Sequence, residues 1–132
     1  MQTRFTPDNI TELAPNEIFV FGSNSEGQHA GGAAYFAMDR FGAKWGIGEG
    51  LVGNSYALPT MDDLSNPESI KPHADKFIEF AKAHQEYTFL VTKVGCGIAG
   101  FEINEVAPFF KDAIALANVI LPKEFVDCIT GK

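Results

Sequence analysis

The chain is expected to fold as an α/β layered domain, and three features of the sequence say so. Short apolar runs alternate with stretches of helical periodicity. Two glycine-rich turns each follow a strand pattern and precede a helix pattern. The 132 residues suit one domain, spanning 1–132, that is long enough to bury a core.

Ile18-Phe19-Val20-Phe21 reads as a short buried strand stopped by Gly22. His29 to Phe41 is a helix with a small-residue start, Ala30-Gly31-Gly32-Ala33-Ala34. Two glycines there cost about 1 kcal/mol each against Ala in a helix interior, which close approach of a ligand or a strand would explain. Gly42 to Gly53 is a glycine-dense flexible segment around Trp45, and Tyr56 to Thr60 a strand ending at Pro59. Met61 to Pro67 is a polar loop. Pro72 to His84 is an amphipathic helix with Ala74, Phe77, Ile78 and Ala81 on one stripe. Phe89 to Val94 is a strand. Asn104 is the expected cap of a helix carrying Val106, Phe109, Phe110, Ala113, Ile114 and Ala117 inward, with Pro108 tolerated near its first turn. Val119-Ile120-Leu121 is the last strand.

The late loop, Gly95-Cys96-Gly97-Ile98-Ala99-Gly100-Phe101, lies between a strand and a helix. Such a junction leaves backbone N–H groups aimed, with the helix dipole, at an anion. Glycine lets a phosphate approach the main chain with no Cβ in the way. The second region runs from Gly22-Ser23-Asn24 through His29-Ala30-Gly31-Gly32-Ala33. Two such turns point to a pocket for a phosphate-bearing small molecule. Gly95, Gly97 and Gly100 spell G-x-G-x-x-G, but a dinucleotide fingerprint opens its fold and has an acidic residue about 20 residues on. Here the loop comes near the end of the chain, and no Walker A pattern occurs.

A formal charge of -7 argues against non-specific nucleic-acid binding, which needs clustered Lys and Arg. Cys96 and Cys128 form neither a disulfide framework nor a metal-binding spacing, and no cofactor is implied. With no secretory segment at the start, the expectation is a reduced, cytoplasmic setting. No apolar run approaches the length of a membrane span.

In order and spacing, four segments from about residue 8 to residue 122 resemble a macrodomain, the ADP-ribose-binding fold. Pro7-Asp8-Asn9-Ile10-Thr11 resembles its G-D-I-T segment, and Phe21-Gly22-Ser23-Asn24 its N-A-A-N strand end. Gly31-Gly32-Ala33 resembles its glycine run, and Gly95 to Phe101 its late G-x-G-x-x-G-F loop. The resemblance implies a three-layer α/β/α domain with a mixed central sheet. By the same likeness Asp8, or Asn9 one residue on, accepts a hydrogen bond from the adenine amino group, and Asn24 holds the distal ribose through its amide. Gly31 and Gly32 lie against that ribose, Gly95 to Gly100 wrap the diphosphate, and Phe101 walls the pocket. Outside the family pattern, Asp8 and Asn24 would be turn or cap residues and Phe101 a core residue.

The sequence departs from the family where hydrolysis is concerned. Ala33 and Ala34 stand where many hydrolytic members have an acidic residue, and Thr60-Met61 and Ile98-Ala99 where a second branch has its lysine and aspartate. Binding of ADP-ribose or a close derivative, free or on a macromolecule, is therefore better supported than turnover. If there is turnover, it is hydrolysis at the distal ribose C1″, removing an acceptor or a phosphate. Asn24 would position the sugar and His29 assist a water as acid or base. Cys96 is a nucleophile only if a helix N-terminus lowers its pKa, and Trp45 and Tyr56 are candidates to stack on adenine or ribose. The alternatives are a non-catalytic reader of ADP-ribosylated partners and a nucleotide-binding interaction module that has lost ADP-ribose.

Overall fold

The computed structural model describes residues 4–131. Its five strands are β1 (Glu17–Ser23), β2 (Gly50–Val52), β3 (Ser55–Pro59), β4 (Thr88–Val91) and β5 (Val119–Ile120). They form one sheet in the order β2-β3-β1-β4-β5, with β2 antiparallel to β3 and the other pairs parallel. The helices are α1 (Gly32–Arg40), α2 (Lys71–Ala83), α3 (Ile103–Val106) and α4 (Lys123–Thr130). Tight 3-10 turns at Pro67–Ile70 and Ala107–Ala113 lead into α2 and out of α3.

β1 is apolar on both faces because both are covered, the usual state of a central parallel strand. Ile18 and Val20 join Tyr56, Leu58, Phe89 and Val91 beneath α2, α3 and α4. Phe19 and Phe21 turn the other way, onto Ala37 of α1 and Phe41. All four residues of the expected α2 stripe, Ala74, Phe77, Ile78 and Ala81, are buried. The result is a mixed α/β fold, compatible with the α/β/α layering expected from the sequence. From β1 the chain passes through α1 to β3 on one side, then through α2 to β4 on the other. The loops after β1 and β4 therefore diverge at a switch in strand order, where open parallel sheets hold their ligands.

Several elements differ from expectation. The first helix begins at Gly32 rather than His29, since residues 28–31 form the extended entry to its N-cap, Gly31. The glycine-dense segment ends in β2, joined to β3 by the two-residue connection Gly53-Asn54 with Gly53 at φ 60°, a hairpin geometry that glycine favours. β4 stops at Val91. The helix expected from Asn104 is one α-turn, after which Pro108 lacks an N–H and crowds the preceding turn, so the chain tightens to 3-10. The start is set by Glu102, whose N–H donates to the Glu105 carboxylate at 2.9 Å. Ala117 is exposed rather than inward. The sequence reading did not identify α4, which buries Phe125 and Val126.

Candidate ligand-binding groove

The first residues of the described chain are tied to the far edge of the sheet. Thr6 N–H donates to the Leu121 carbonyl and Thr6 Oγ1 to the Ile120 carbonyl, each at 2.9 Å. This carries Asp8 and Asn9 to the end of the sheet where the loops after β1 and β4 emerge. Those two loops meet at Gly22, where a Cβ would sit 3.3 Å from the Gly95 nitrogen and 3.2 Å from Thr60 Oγ1. Glycine there allows the two predicted regions, more than seventy residues apart in the chain, to form one site.

The site is a groove of two hollows. The proximal one, about 530 Å³, is bordered by Asp8, Asn9, Ile10, Phe36, Cys96 and Pro122 among others. The distal one, about 580 Å³, is bordered by Ser23, Asn24, Gln28, Trp45, Thr60 and Ile98 among others. They share Gly32, Ala33, Thr92, Lys93 and Gly97, which form a waist. Two sets of backbone N–H groups border the distal hollow, and those of Gly32, Ala33 and Gly97 lie at the waist. Those of Gly31, Gly32, Ala33 and Ala34 open α1, and those of Gly97, Ile98 and Ala99 lie in the late loop; none makes a hydrogen bond to a described residue. The first set carries the positive end of the helix dipole. The Ile98 side chain, 70% exposed, reaches across to within 3.2 Å of where a Cβ on Gly32 would lie.

Lys93 is the cation common to both hollows, and its ammonium lies 2.8 Å from Glu124 and 3.6 Å from Asp8. The bond to Glu124 holds its pKa above the ordinary lysine value. From sequence Lys93 is a strand-end residue, and neither it nor Thr92 is marked as a site residue. The usable signal was their position just past the end of a parallel strand.

Of the residues expected at the site, Asp8, Asn9, Gly22, Ser23, Asn24, Gly31, Gly32, Ala33, Gly95, Cys96, Gly97, Ile98 and Ala99 border one hollow or both. Gly100 and Phe101 do not. Phe101 is 8% exposed and packs into the core beneath α2, so it is not a pocket wall. Asn24 Nδ2 donates to the Gln28 carbonyl at 3.0 Å and its Oδ1 accepts from Gln28 N–H at 2.8 Å. The amide thus closes its own loop and keeps one N–H and one lone pair free of those bonds.

His29 is fully enclosed, set edge-on to Phe21, and borders neither hollow. Its Nε2 lies 3.1 Å from the Ile47 carbonyl. A carbonyl only accepts, so Nε2 donates to it, and Nδ1 is buried without a partner. The ring anchors the Trp45 loop and lies away from the groove. Cys96 is half-buried, and burial, then the Glu102 charge, push its thiol up to about 11. It is a protonated packing residue, because burial outweighs any pull from the loop amides. Tyr56 is buried in the core and pushed up to about 12 by burial and then by the charge of Glu49; it cannot stack on a ligand.

Outside the lining of either hollow, His73 of α2 bridges two carboxylates. Its Nδ1 lies 2.7 Å from Glu49 and its Nε2 2.6 Å from Asp62. Asp62 also accepts from Ser25 Oγ at 2.6 Å, and Lys76 reaches Glu49 at 3.5 Å. Burial opposes the imidazolium, yet the bonds to Asp62 and Glu49 together raise its pKa above 6.5. The bonds from Ser25, then His73, lower that of Asp62. This cluster links the loop after β1 to α2.

Among the described residues no group of three or more His, Cys, Asp or Glu is placed to hold a metal ion, and no helix is long and apolar enough to cross a membrane. Comparisons of the chain with protein-family models, with curated proteins and with solved structures give no match.

Proposed function

We propose that the groove binds ADP-ribose or a close derivative, free or attached to a macromolecule, in a macrodomain-like fold. One observation carries the reading: two hollows of comparable volume share a waist that holds Lys93 and the unpaired amides of Gly32, Ala33 and Gly97. A ligand that fits has two bulky ends and an anionic link, which describes a nucleoside diphosphate joined to a sugar. Each hollow lies within the range of about 300–1,000 Å³ common for small-molecule sites. Asp8, or Asn9, takes the adenine amino group in the proximal hollow. The start of α1, the late loop and Lys93 take the diphosphate, where preorganised amides and a cation act without reorganising. Asn24, with its remaining donor and acceptor, and Gln28 take hydroxyls of the distal ribose.

Binding without turnover is the favoured mode. No carboxylate or imidazole borders the distal hollow among the described residues, and a general acid or base must reach the reacting proton directly or through one water. Hydrolysis at C1″ remains the second reading on the strength of Asn24, Ser23 and Thr60 around that hollow. Release of ADP-ribose from a modified protein would establish it. The test of the main reading is isothermal titration calorimetry with ADP-ribose, using AMP and NAD as controls. Saturable binding that prefers ADP-ribose is expected. No heat at high micromolar ligand, or preference for another nucleotide, would overturn it.

A further inference from the structure

Trp45 is the sole tryptophan of the sequence and is 58% exposed, yet its support is rigid. Gly46 N–H donates to the Gly27 carbonyl at 2.9 Å, and the Ile47 carbonyl accepts from buried His29 at 3.1 Å. Ser23 Oγ, itself buried, donates to the Gly48 carbonyl. A Cβ on Gly48 would collide with the carbonyls of Asn24 and Ser25, and one on Gly27 with the backbone at Gly46 and Ile47. Two backbones are thus locked face to face, and the indole is presented from them to the distal hollow.

Five large apolar side chains are exposed in the described chain, and two of them, Trp45 and Ile98, border this one hollow. Apart from Met61 and Val94, the remainder of its lining is small or polar. The aromatic wall expected from Phe101 is missing, because that ring is in the core.

We propose that Trp45 is the aromatic platform of the distal subsite, stacking its indole on the apolar face of the sugar beyond the diphosphate. The inference rests on the ADP-ribose reading above and adds to it the residue that separates ADP-ribose from AMP. A sugar ring has a C–H face and a hydroxyl edge. The indole covers the first while the amides of Asn24 and Gln28 meet the second. Indole is suited to this place because it offers a large rigid surface at low entropic cost, with a polar edge that tolerates water.

The chain's single tryptophan makes the test direct. ADP-ribose and AMP are titrated into wild type, Trp45→Ala and Trp45→Phe, with calorimetry for affinity and tryptophan emission for contact. ADP-ribose is expected to change wild-type emission, whereas AMP, lacking the second sugar, binds with little change. Trp45→Ala is expected to weaken ADP-ribose about three- to tenfold and leave AMP affinity unaltered, with Trp45→Phe in between. Thermal melts of the variants separate a binding loss from unfolding. Wild-type ADP-ribose affinity in Trp45→Ala, with emission unmoved while calorimetry reports binding, overturns the platform and leaves the ADP-ribose reading standing. No calorimetric binding of ADP-ribose to wild type overturns both.

Discussion

Replacing His73 by Gln tests the charge cluster that links α2 to the loop after β1. In the folded chain both ring nitrogens face carboxylate oxygens, at 2.7 Å and 2.6 Å. Carboxylates accept only, so both bonds are complete when the ring is an imidazolium. A shielded charge-assisted hydrogen bond contributes about 1.5–3 kcal/mol. Here the three side chains are 19%, 24% and 39% exposed, and solvent screening reduces the bridge to about 1–2 kcal/mol in all. The folded-state pKa of His73 is raised above 6.5, so this contribution is fully present below about pH 6.5 and is lost as pH climbs through the folded value. Asp62, whose pKa is lowered from 3.8, acts in the opposite sense and loses its contribution only in acid. Gln cannot titrate, keeps Ser25 on Asp62 and Lys76 on Glu49, and removes the pH-dependent part alone. Thermal melts followed by circular dichroism at about pH 6 and about pH 8.5 are expected to show wild type above His73→Gln by roughly 3–8 °C at the lower pH. The gap closes at the higher pH. The range stays below pH 9 because Cys96, raised from 9.0 to about 11, ionises first in the unfolded chain and lowers stability there. An equal gap at both pH values would refute the protonated bridge.

At Gly97 a Cβ meets nothing within 4 Å, so Gly97→Val is expected to fold with little change in Tm. Its side chain would occupy the waist and lower ADP-ribose affinity at least about tenfold, a loss of about 1.4 kcal/mol; unchanged affinity by calorimetry would remove the waist from the site. Asn24→Ala loses two exposed hydrogen bonds to Gln28, about 1 kcal/mol of stability. It is also expected to reduce ADP-ribose affinity more than AMP affinity; an equal effect on both ligands would make Asn24 only a loop clasp.

Part of what differs from expectation is legible in the local sequence. Pro108 was visible, and its conflict with a continuous helix from Asn104 follows from its missing N–H. The cost of Gly31 and Gly32 in a helix interior is legible too, and it fits an N-terminal entry better than the helix start expected at His29. Lys93 is legible as a strand-end residue, but no local pattern shows that this strand end borders both hollows. No local signal placed His29 or Phe101. Both look like site residues beside glycines and both are buried, because partners far along the chain, Ile47 and the core beneath α2, enclose them.

By itself the sequence determined the alternating order of strands and helices, the buried stripe of α2, the two-faced apolar β1 and the positions of both glycine-rich loops. These are set by side-chain periodicity and backbone freedom within a few residues, which any folded context must respect. Only the tertiary structure decided that the two loops share one groove, that Trp45 rather than Phe101 faces the distal hollow, and that His73 ties α2 to the loop after β1. Those outcomes depend on strand order and on contacts between residues 18 to 114 positions apart. Strand order is chosen by how two apolar faces of one sheet are best covered, a property of the whole chain that no short window contains.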